Sequence, residues 1–223
     1  MKLNSSLRLL LMSAASLAVA SPALASFHIM QIEQVMGGVS GDTTRQAIQL
    51  RMRQLGQNQM QFSRIRAWDA AGANPVLIVD MGAPVLVSTA GSRVLIASPA
   101  FGIVSPDFTT TNLIPVGYLA AGKLTFEDDG GFVYWSLAWG GAAYTGTNTS
   151  GDTTNDADTN FNPPFPSPLP SSNTQAVRFT GVASAPSTNN AADYALTAGA
   201  AVFTNNAGLS GTVPVELMDF KVE

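Results

Sequence analysis

Alternation of apolar and polar side chains is the main pattern of this chain, and it predicts β-strands. Within residues 46–53 the two kinds of side chain fall on opposite faces, with Ile48, Leu50 and Met52 facing away from Gln49, Arg51 and Arg53. A period of two is typical of an antiparallel strand with one buried face. Ala, Gln, Leu, Arg and Met also favour helices, so a helix is the alternative, but the strict alternation favours a strand.

Shorter segments with the same period, or with a continuous apolar run, predict further strands. They cover residues 27–35, 64–68, 76–79, 93–97, 175–179, 194–197, 201–203 and 213–223. A hairpin over 123–139 is the strongest local signal, because the Gly residues at 130–131 accept the positive φ of a tight turn. On its second strand the pattern predicts Val133, Trp135, Leu137 and Trp139 in the core, and Phe132, Tyr134, Ser136 and Ala138 on the opposite face.

Residues 140–175 form a long segment rich in Gly, Asn, Thr, Ser and Pro, through which no regular element is expected to run. Loops of this length in compact domains are usually functional or disordered. Many short strands with Gly, Asn and Pro between them predict an all-β fold, an antiparallel sandwich. We therefore treat residues 26–223 as a single domain that contains this loop.

The first 25 residues have the composition of a secretory signal peptide. Two basic residues, Lys2 and Arg8, precede an apolar stretch over 9–20, and small residues at 23–25 provide an A-x-A cleavage site. The stretch is shorter than the roughly 20 apolar residues that a membrane span needs. We expect cleavage after Ala25 and a secreted or periplasmic product without a transmembrane segment; an uncleaved anchor is the alternative.

Composition excludes several kinds of chemistry. The formal net charge is −4, which argues against nucleic acid as a partner. There is no cysteine and only one histidine, His28, so thiol catalysis, cysteine-ligated metals and multi-histidine metal sites are excluded within one chain. A Ser-His-Asp triad would need His28, which lies near a terminus that we expect to fray. The sequence thus predicts that the protein is not an enzyme.

The long loop contains a candidate calcium site. Asp156, Asp158 and Asn160 have the i, i+2, i+4 spacing with which a calcium loop begins, and Asp152 adds a further carboxylate. The loop glycine is absent, since Phe161 stands there, and Ser167 occupies the position of the closing acidic residue. No other cofactor is expected, and the alternative for this segment is a solvated polar loop.

Aromatic and charged residues suggest additional sites. Trp135 and Trp139 share a predicted core face, which leaves Tyr134 and Tyr144 as candidate platforms on which a sugar ring stacks. Arg51 and Arg53 on one strand, beside Arg64 and Arg66 on the next, would form a positive stripe for an acidic glycan; ordinary solubilising charge is the alternative. Residues 127–129 offer a carboxylate pair for acid–base catalysis, but turn residues of the hairpin are the favoured interpretation.

Four short segments resemble the lamin-tail domain, a small immunoglobulin-like sandwich found in nuclear lamins and in bacterial exported proteins. They are Ile32-Glu33-Gln34-Val35, residues 47–52, residues 91–97 and Asp128-Asp129-Gly130-Gly131, and together they span about residues 27–140. The chain departs from the pattern at Gln49, where the family has Glu, and lacks the Asn that follows. The resemblance implies an immunoglobulin-like sandwich that binds or scaffolds.

The end of the chain, residues 214–223, resembles the PVEL segment that joins exported bacterial domains to C-terminal sorting signals. Its alternation favours a last strand instead. Taken together, the sequence predicts a non-catalytic exported module that acts at a surface, in a matrix or in adhesion, with a glycan or a cell-surface component as its partner. The alternative is a carbohydrate-binding domain assisted by calcium. A hydrolase is the weakest hypothesis, because no nucleophile motif supports it.

Overall fold

A computed structural model describes residues 26–149, 161–187 and 189–215. Within these ranges the chain is mostly β-structure, as predicted, with a single short helix, α1 (Asn190–Asp193), and 3-10 turns at Met60–Phe62, Val116–Tyr118 and Gly141–Ala143. The strands are β1 (Met30–Met36), β2 (Ala47–Met52), β3 (Ser63–Trp68), β4 (Val76–Met81), β5 (Arg93–Ala97), β6 (Phe108–Thr109), β7 (Gly122–Asp128), β8 (Val133–Trp139), β9 (Val177–Phe179), β10 (Tyr194–Leu196), β11 (Val202–Thr204) and β12 (Ser210–Thr212).

The strands form two main sheets and one hairpin. The larger sheet has the order β10-β9-β1-β2-β5-β6, and its pairs are antiparallel except for the last, β5 with β6. The smaller sheet has the antiparallel order β4-β3-β7-β8. Strands β11 and β12 pair only with each other. The antiparallel sheets predicted from the alternation are therefore confirmed.

The main hydrophobic core lies between the two large sheets. The inward face of β2 consists of Ile48, Leu50 and Met52, as its alternation predicts, and all three are buried. The facing sheet contributes Phe126 and Trp135, which are fully buried in the same cluster. Phe and Trp remove large apolar areas from water, so these rings contribute much of the stabilisation.

A second, smaller core covers part of the outer face of the larger sheet. The β11–β12 hairpin lies there, and the rings of Phe203 and Phe101 meet edge to face at 5.3 Å. Leu95 and Ala97, which point away from the main core, pack into this cluster. Strand β5 is consequently apolar on both faces, which explains its continuous apolar run.

Two β-bulges interrupt the alternation of side chains between the faces. In β1 the register changes between Ile32 and Gln34, so Val35 faces the main core and Gln34 faces outward, where its Nε2 donates to the Val202 carbonyl at 2.7 Å. A bulge contributes one unpaired residue and so inverts the alternation beyond it.

The second bulge lies in the hairpin. There Glu127 pairs with Val133 while Phe126 pairs with Trp135, so Tyr134 is the extra residue. Val133 is half-buried beside Glu127, and Tyr134 joins the main core. The predicted positions of these two side chains are therefore wrong, because periodicity alone does not register an inserted residue.

Four loops and the first described residues meet at one end of the sandwich. Met52 pairs with Met30, and Asp128 pairs with Ser63, which brings the β1 start and the β2–β3, β4–β5 and β7–β8 connections to the same end. The segment after β9 lies there too, because Ser184 accepts from Arg53 Nη2 at 2.7 Å. We call residues 54–62, 82–92, 129–132 and 180–187 the loop end.

The described N-terminal residues are docked rather than frayed. Ser26 N donates to the Gly56 carbonyl at 2.6 Å, and Arg53 N donates to the Ile29 carbonyl at 2.9 Å. The expectation of a frayed terminus around His28 is wrong for this reason. The predicted signal peptide, residues 1–25, lies outside the described residues.

The long loop predicted at 140–175 contains, where it is described, only one 3-10 turn and a bridge between Trp139 and Phe165. It is nevertheless packed, because Phe165 and Leu169 enter the main core.

Near the C-terminus, β12 ends at Thr212 and Val215 is 69% exposed. The described part of the predicted last strand, residues 213–215, is not a strand, and residues 216–223 lie outside the described ranges.

Candidate functional site

An aromatic cluster closes the loop end of the sandwich. Phe27 lies at its centre, with ring centroids 6.3 Å from Phe62 and 5.6 Å from Tyr134. Tyr134 in turn lies 5.0 Å from Phe132 and stacks on the exposed His28 ring at 4.7 Å. The inner members are buried in the core, while Phe62 and Phe132 are 52% and 45% exposed. The cluster therefore presents two phenylalanine rings to solvent on a rigid support.

Further apolar side chains project from the neighbouring loops. Leu55, Leu86 and Val182 are 64%, 96% and 70% exposed, and each belongs to a different loop. The four loop-end segments contain a single charged residue, Asp129. The loop end is thus a surface with apolar side chains at its tips and a single charged residue, on an acidic protein.

Hydrogen bonds brace the loop that carries Phe62. Gln57 Oε1 accepts from Ile29 N at 2.8 Å, which ties the loop to the start of β1. Asn58 Nδ2 donates to the Val85 carbonyl at 3.1 Å, and Val85 N donates back to the Asn58 carbonyl at 3.0 Å. A braced loop loses little conformational entropy when it binds, so this surface is preorganised.

The structure corrects the two predicted stacking platforms. Tyr134 is 8% exposed, because the bulge turns it into the core and His28 covers its ring. Tyr144 is 4% exposed and packs against Ala121 and Ala138, with its hydroxyl donating to the Thr147 carbonyl at 2.8 Å. Burial raises the pKa of the Tyr144 phenol. Neither ring has the open face that sugar stacking requires.

The predicted arginine stripe is wrong, since its two halves lie on different sheets. Arg51 Nη1 lies 3.3 Å from Glu33 Oε1 on the larger sheet. Arg64 and Arg66 lie 3.2 and 3.0 Å from Glu127 Oε1 on the smaller sheet. The chain crosses from one sheet to the other between β2 and β3, and nothing in the local pattern of either strand signals this crossing.

Residues 127–129 divide between strand and turn. Glu127 is buried on β7, and its burial raises its pKa while Arg66 and Arg64 oppose that rise. Asp128 accepts from Phe132 N at 2.9 Å and so closes the turn. The turn interpretation holds for Asp128. Glu127 is instead an ion-pair partner within the sheet.

The predicted calcium ligands, Asp152, Asp156, Asp158 and Asn160, lie outside the described residues. Within residues 26–149, 161–187 and 189–215, no group of three or more His, Cys, Asp or Glu side chains is arranged to hold a metal ion. In the same ranges no helix has both the length and the apolar character needed to cross a bilayer. The calcium site remains a prediction.

Comparison with known proteins does not add a function. No family model, no curated protein and no solved structure matches this chain. The candidate site therefore rests on its own geometry. Sequence reasoning missed Phe62 and Phe132 because both rings belong to segments whose exposure depends on how the loops pack.

Proposed function

We propose that this protein is a non-catalytic exported β-sandwich that acts as a binding module at a surface, in a matrix or in adhesion. The proposal includes an immunoglobulin-like fold of the lamin-tail type, and the strand arrangement supports it. Strands β1, β2 and β5 adjoin in one sheet while β4, β3, β7 and β8 adjoin in the other. Immunoglobulin-like sandwiches alternate between sheets in the same sense, and their binding loops cluster at one end.

The observation that carries the proposal is the composition of the loop end. Two half-exposed phenylalanine rings are supported by a buried aromatic cluster, and the loop-end segments around them contain one charged residue, Asp129. Aromatic rings stack on the apolar faces of sugars, and a site with so little charge favours a neutral glycan. The carbohydrate-binding alternative is thus the form of the hypothesis that the exposed rings support.

Glycan-array binding tests this proposal, with Phe62→Ala and Phe132→Ala as the informative variants. We expect neutral glycans to bind, and each substitution to weaken binding about tenfold, which corresponds to about 1.4 kcal/mol. Leu209→Ala is the control, because Leu209 is 61% exposed and lies outside both the loop end and the candidate calcium loop. Retention of wild-type binding by both loop-end variants, with the melting temperature unchanged, would contradict the proposal.

Measurements of the melting temperature, with calcium and with a chelator, test the calcium-assisted form of the proposal. A cation that binds the native state raises its stability by mass action. We therefore expect calcium to raise the melting temperature, and a chelator to lower both this temperature and glycan binding. No shift at millimolar calcium removes the ion from the hypothesis and leaves the loop-end proposal to be judged on the phenylalanine variants.

A further inference from the structure

A groove of about 380 Å³ lies on the outer face of the larger sheet, apart from the aromatic cluster. Arg51, Arg178, Thr180, Gly181, Ala195 and Thr197 are among the residues that line it. Its volume lies at the lower end of the range for small-molecule sites, about 300–1,000 Å³. The small side chains at 181 and 195 leave space beside the arginines, so a compact ligand fits here.

The charges around the groove do not cancel. Glu33 is fully buried beneath it and pairs with three arginines, at 2.7 Å for Arg93 Nε, 3.3 Å for Arg51 Nη1 and 3.7 Å for Arg178 Nη2. One carboxylate thus faces three guanidinium groups. None of the residues that line the groove is acidic, so the surplus positive charge is concentrated on its wall.

The three arginines differ in how firmly they are held. Arg93 makes a bidentate pair with Glu33, with its Nη2 donating to Oε1 at 3.0 Å. Arg51 is shared between Glu33, the Gln31 amide oxygen and the Gly181 carbonyl. Arg178 has only the 3.7 Å approach to Glu33 among the described ion pairs, and its side chain is 50% exposed. Arg178 is therefore the guanidinium most able to take a second anionic partner.

A buried donor beside Arg51 adds an independent observation. Gln31 is fully buried, and its Oε1 accepts from Arg51 Nε. Its Nε2 has no hydrogen-bond partner among the described residues. A buried amide nitrogen without an acceptor is costly. Gln31 does not line the groove, so its contribution is to hold Arg51 in place there.

We propose that this groove binds the carboxylate of a small sugar acid. A guanidinium forms a planar fork that matches a carboxylate with two parallel hydrogen bonds. Glu33 holds the arginines in place, and Ala195, which pairs directly with Arg178 on the neighbouring strand, leaves room for the sugar ring. The remainder of the chain is acidic, so recognition depends on this local arrangement and not on overall attraction.

Titration of the full chain with glucuronate, followed by NMR of backbone amides and arginine Nε groups, tests the proposal. Glucose is the neutral counterpart of the same ring, and sulfate is an anion without it. We expect glucuronate to shift signals of residues 178–181 and 195–198 at millimolar concentration, and glucose and sulfate to have at most a tenth of its affinity.

Two variants act on the groove in different ways. Arg178→Gln removes the half-exposed guanidinium, and Ala195→Glu places a carboxylate opposite it while retaining every arginine. We expect each to weaken glucuronate binding at least tenfold without lowering the melting temperature appreciably. Arg45→Gln, which removes an arginine from the β1–β2 connection, is the control and should bind as wild type does.

Several outcomes would overturn the inference. These are no response to glucuronate, equal binding of glucose, sulfate binding as tightly as glucuronate, or wild-type affinity in both groove variants. The loop-end proposal is read out separately by Phe62→Ala and Phe132→Ala, which leave the groove intact. Failure of one proposal is thereby distinguishable from failure of the other.

Discussion

The outer faces of the two sheets hold similar charges in different surroundings. On the larger sheet, buried Glu33 lies among Arg51, Arg93 and Arg178, beside an open groove. On the smaller sheet, buried Glu127 lies between Arg64 and Arg66, and Lys123 extends from the same strand. Each face thus gathers three cations near one carboxylate. The difference is that Lys123 is buried and donates to the Thr147 carbonyl, whereas the Arg178 side chain reaches solvent.

Burial and ion pairing shift the pKa values of the cations on the two faces. On the open face hydrogen bonding to Glu33 raises the pKa of Arg93, whereas burial lowers the pKa of Arg51. On the covered face burial lowers the pKa of Lys123 to about 8, with Glu127 opposing the shift. Its Nζ donates to the Thr147 carbonyl at 2.8 Å and lies 5.2 Å from the centre of the Trp68 ring. Burial thus lowers the pKa of a cation on each face, and the hydrogen bonds to Glu33 outweigh this effect for Arg93.

Removal of the central carboxylates is the strongest test of this comparison. Loss of one partner of a buried ion pair typically costs about 3–5 kcal/mol, and we expect Glu33→Gln to fall in this range because it strands three arginines. We expect Glu127→Gln to cost less, roughly 1–2 kcal/mol, because Glu127 pairs with two arginines, whereas Glu33 also accepts from Gln49 Nε2 at 2.7 Å and takes two bonds from Arg93. Urea denaturation measures both. If both variants lose the same free energy of unfolding, or Glu127→Gln loses more, the expected difference between the two carboxylates is refuted.

A smaller effect is expected from pH and concerns Lys123. In the unfolded chain lysine titrates near pH 10.4, so between about pH 8 and that value the unfolded state binds more protons than the folded state. Stability then rises with pH. Relative to Lys123→Met, the wild type should gain roughly 2 kcal/mol between pH 7 and pH 10.

Denaturation of wild type and Lys123→Met in parallel isolates this contribution, because the other titrating groups are common to both chains. Below pH 8 the cost of burying the charged amine is present in full, so the variant should there be at least as stable as the wild type. A stability difference that does not change with pH would show that the amine keeps its ordinary pKa.

The smallest expected effects distinguish arginines on the open face. Arg178→Gln should change the free energy of unfolding by less than about 0.5 kcal/mol, because exposed pairs contribute little. Arg93→Gln should cost more, roughly 1–3 kcal/mol, since it breaks a bidentate pair to a fully buried carboxylate. Thermal or urea denaturation under matched conditions checks the order. If the two costs are equal, Arg178 is held more firmly than its 3.7 Å approach indicates.

Local patterns predicted most long strands because their alternation and turn residues are intrinsic to each segment. Strands β2, β5, β7 and β8 lie close to their predicted bounds. The bulges in β1 and β8 were not predictable from a period of two, and they place Gln34 and Tyr134 on faces that uninterrupted alternation would not give. The short strands β6 and β12 were missed, because two or three residues carry too little periodicity.

The candidate sites were harder to predict than the strands. The arginine groove joins β2 to β9, which are distant in sequence, and depends on sheet order. The exposure of Phe62 depends on how its loop docks on the first described residues. Such properties follow from tertiary packing, which no single segment encodes.

The β11–β12 hairpin limits which amino-acid substitutions strand β5 can tolerate. Strand β5 faces the main core with Val94 and Ile96 and the small second core with Leu95 and Ala97. In an ordinary half-solvated strand every second position tolerates polar replacement, but here neither set of positions has that freedom. Mutational drift should accordingly be slower along this strand than along strands with one solvent-exposed face.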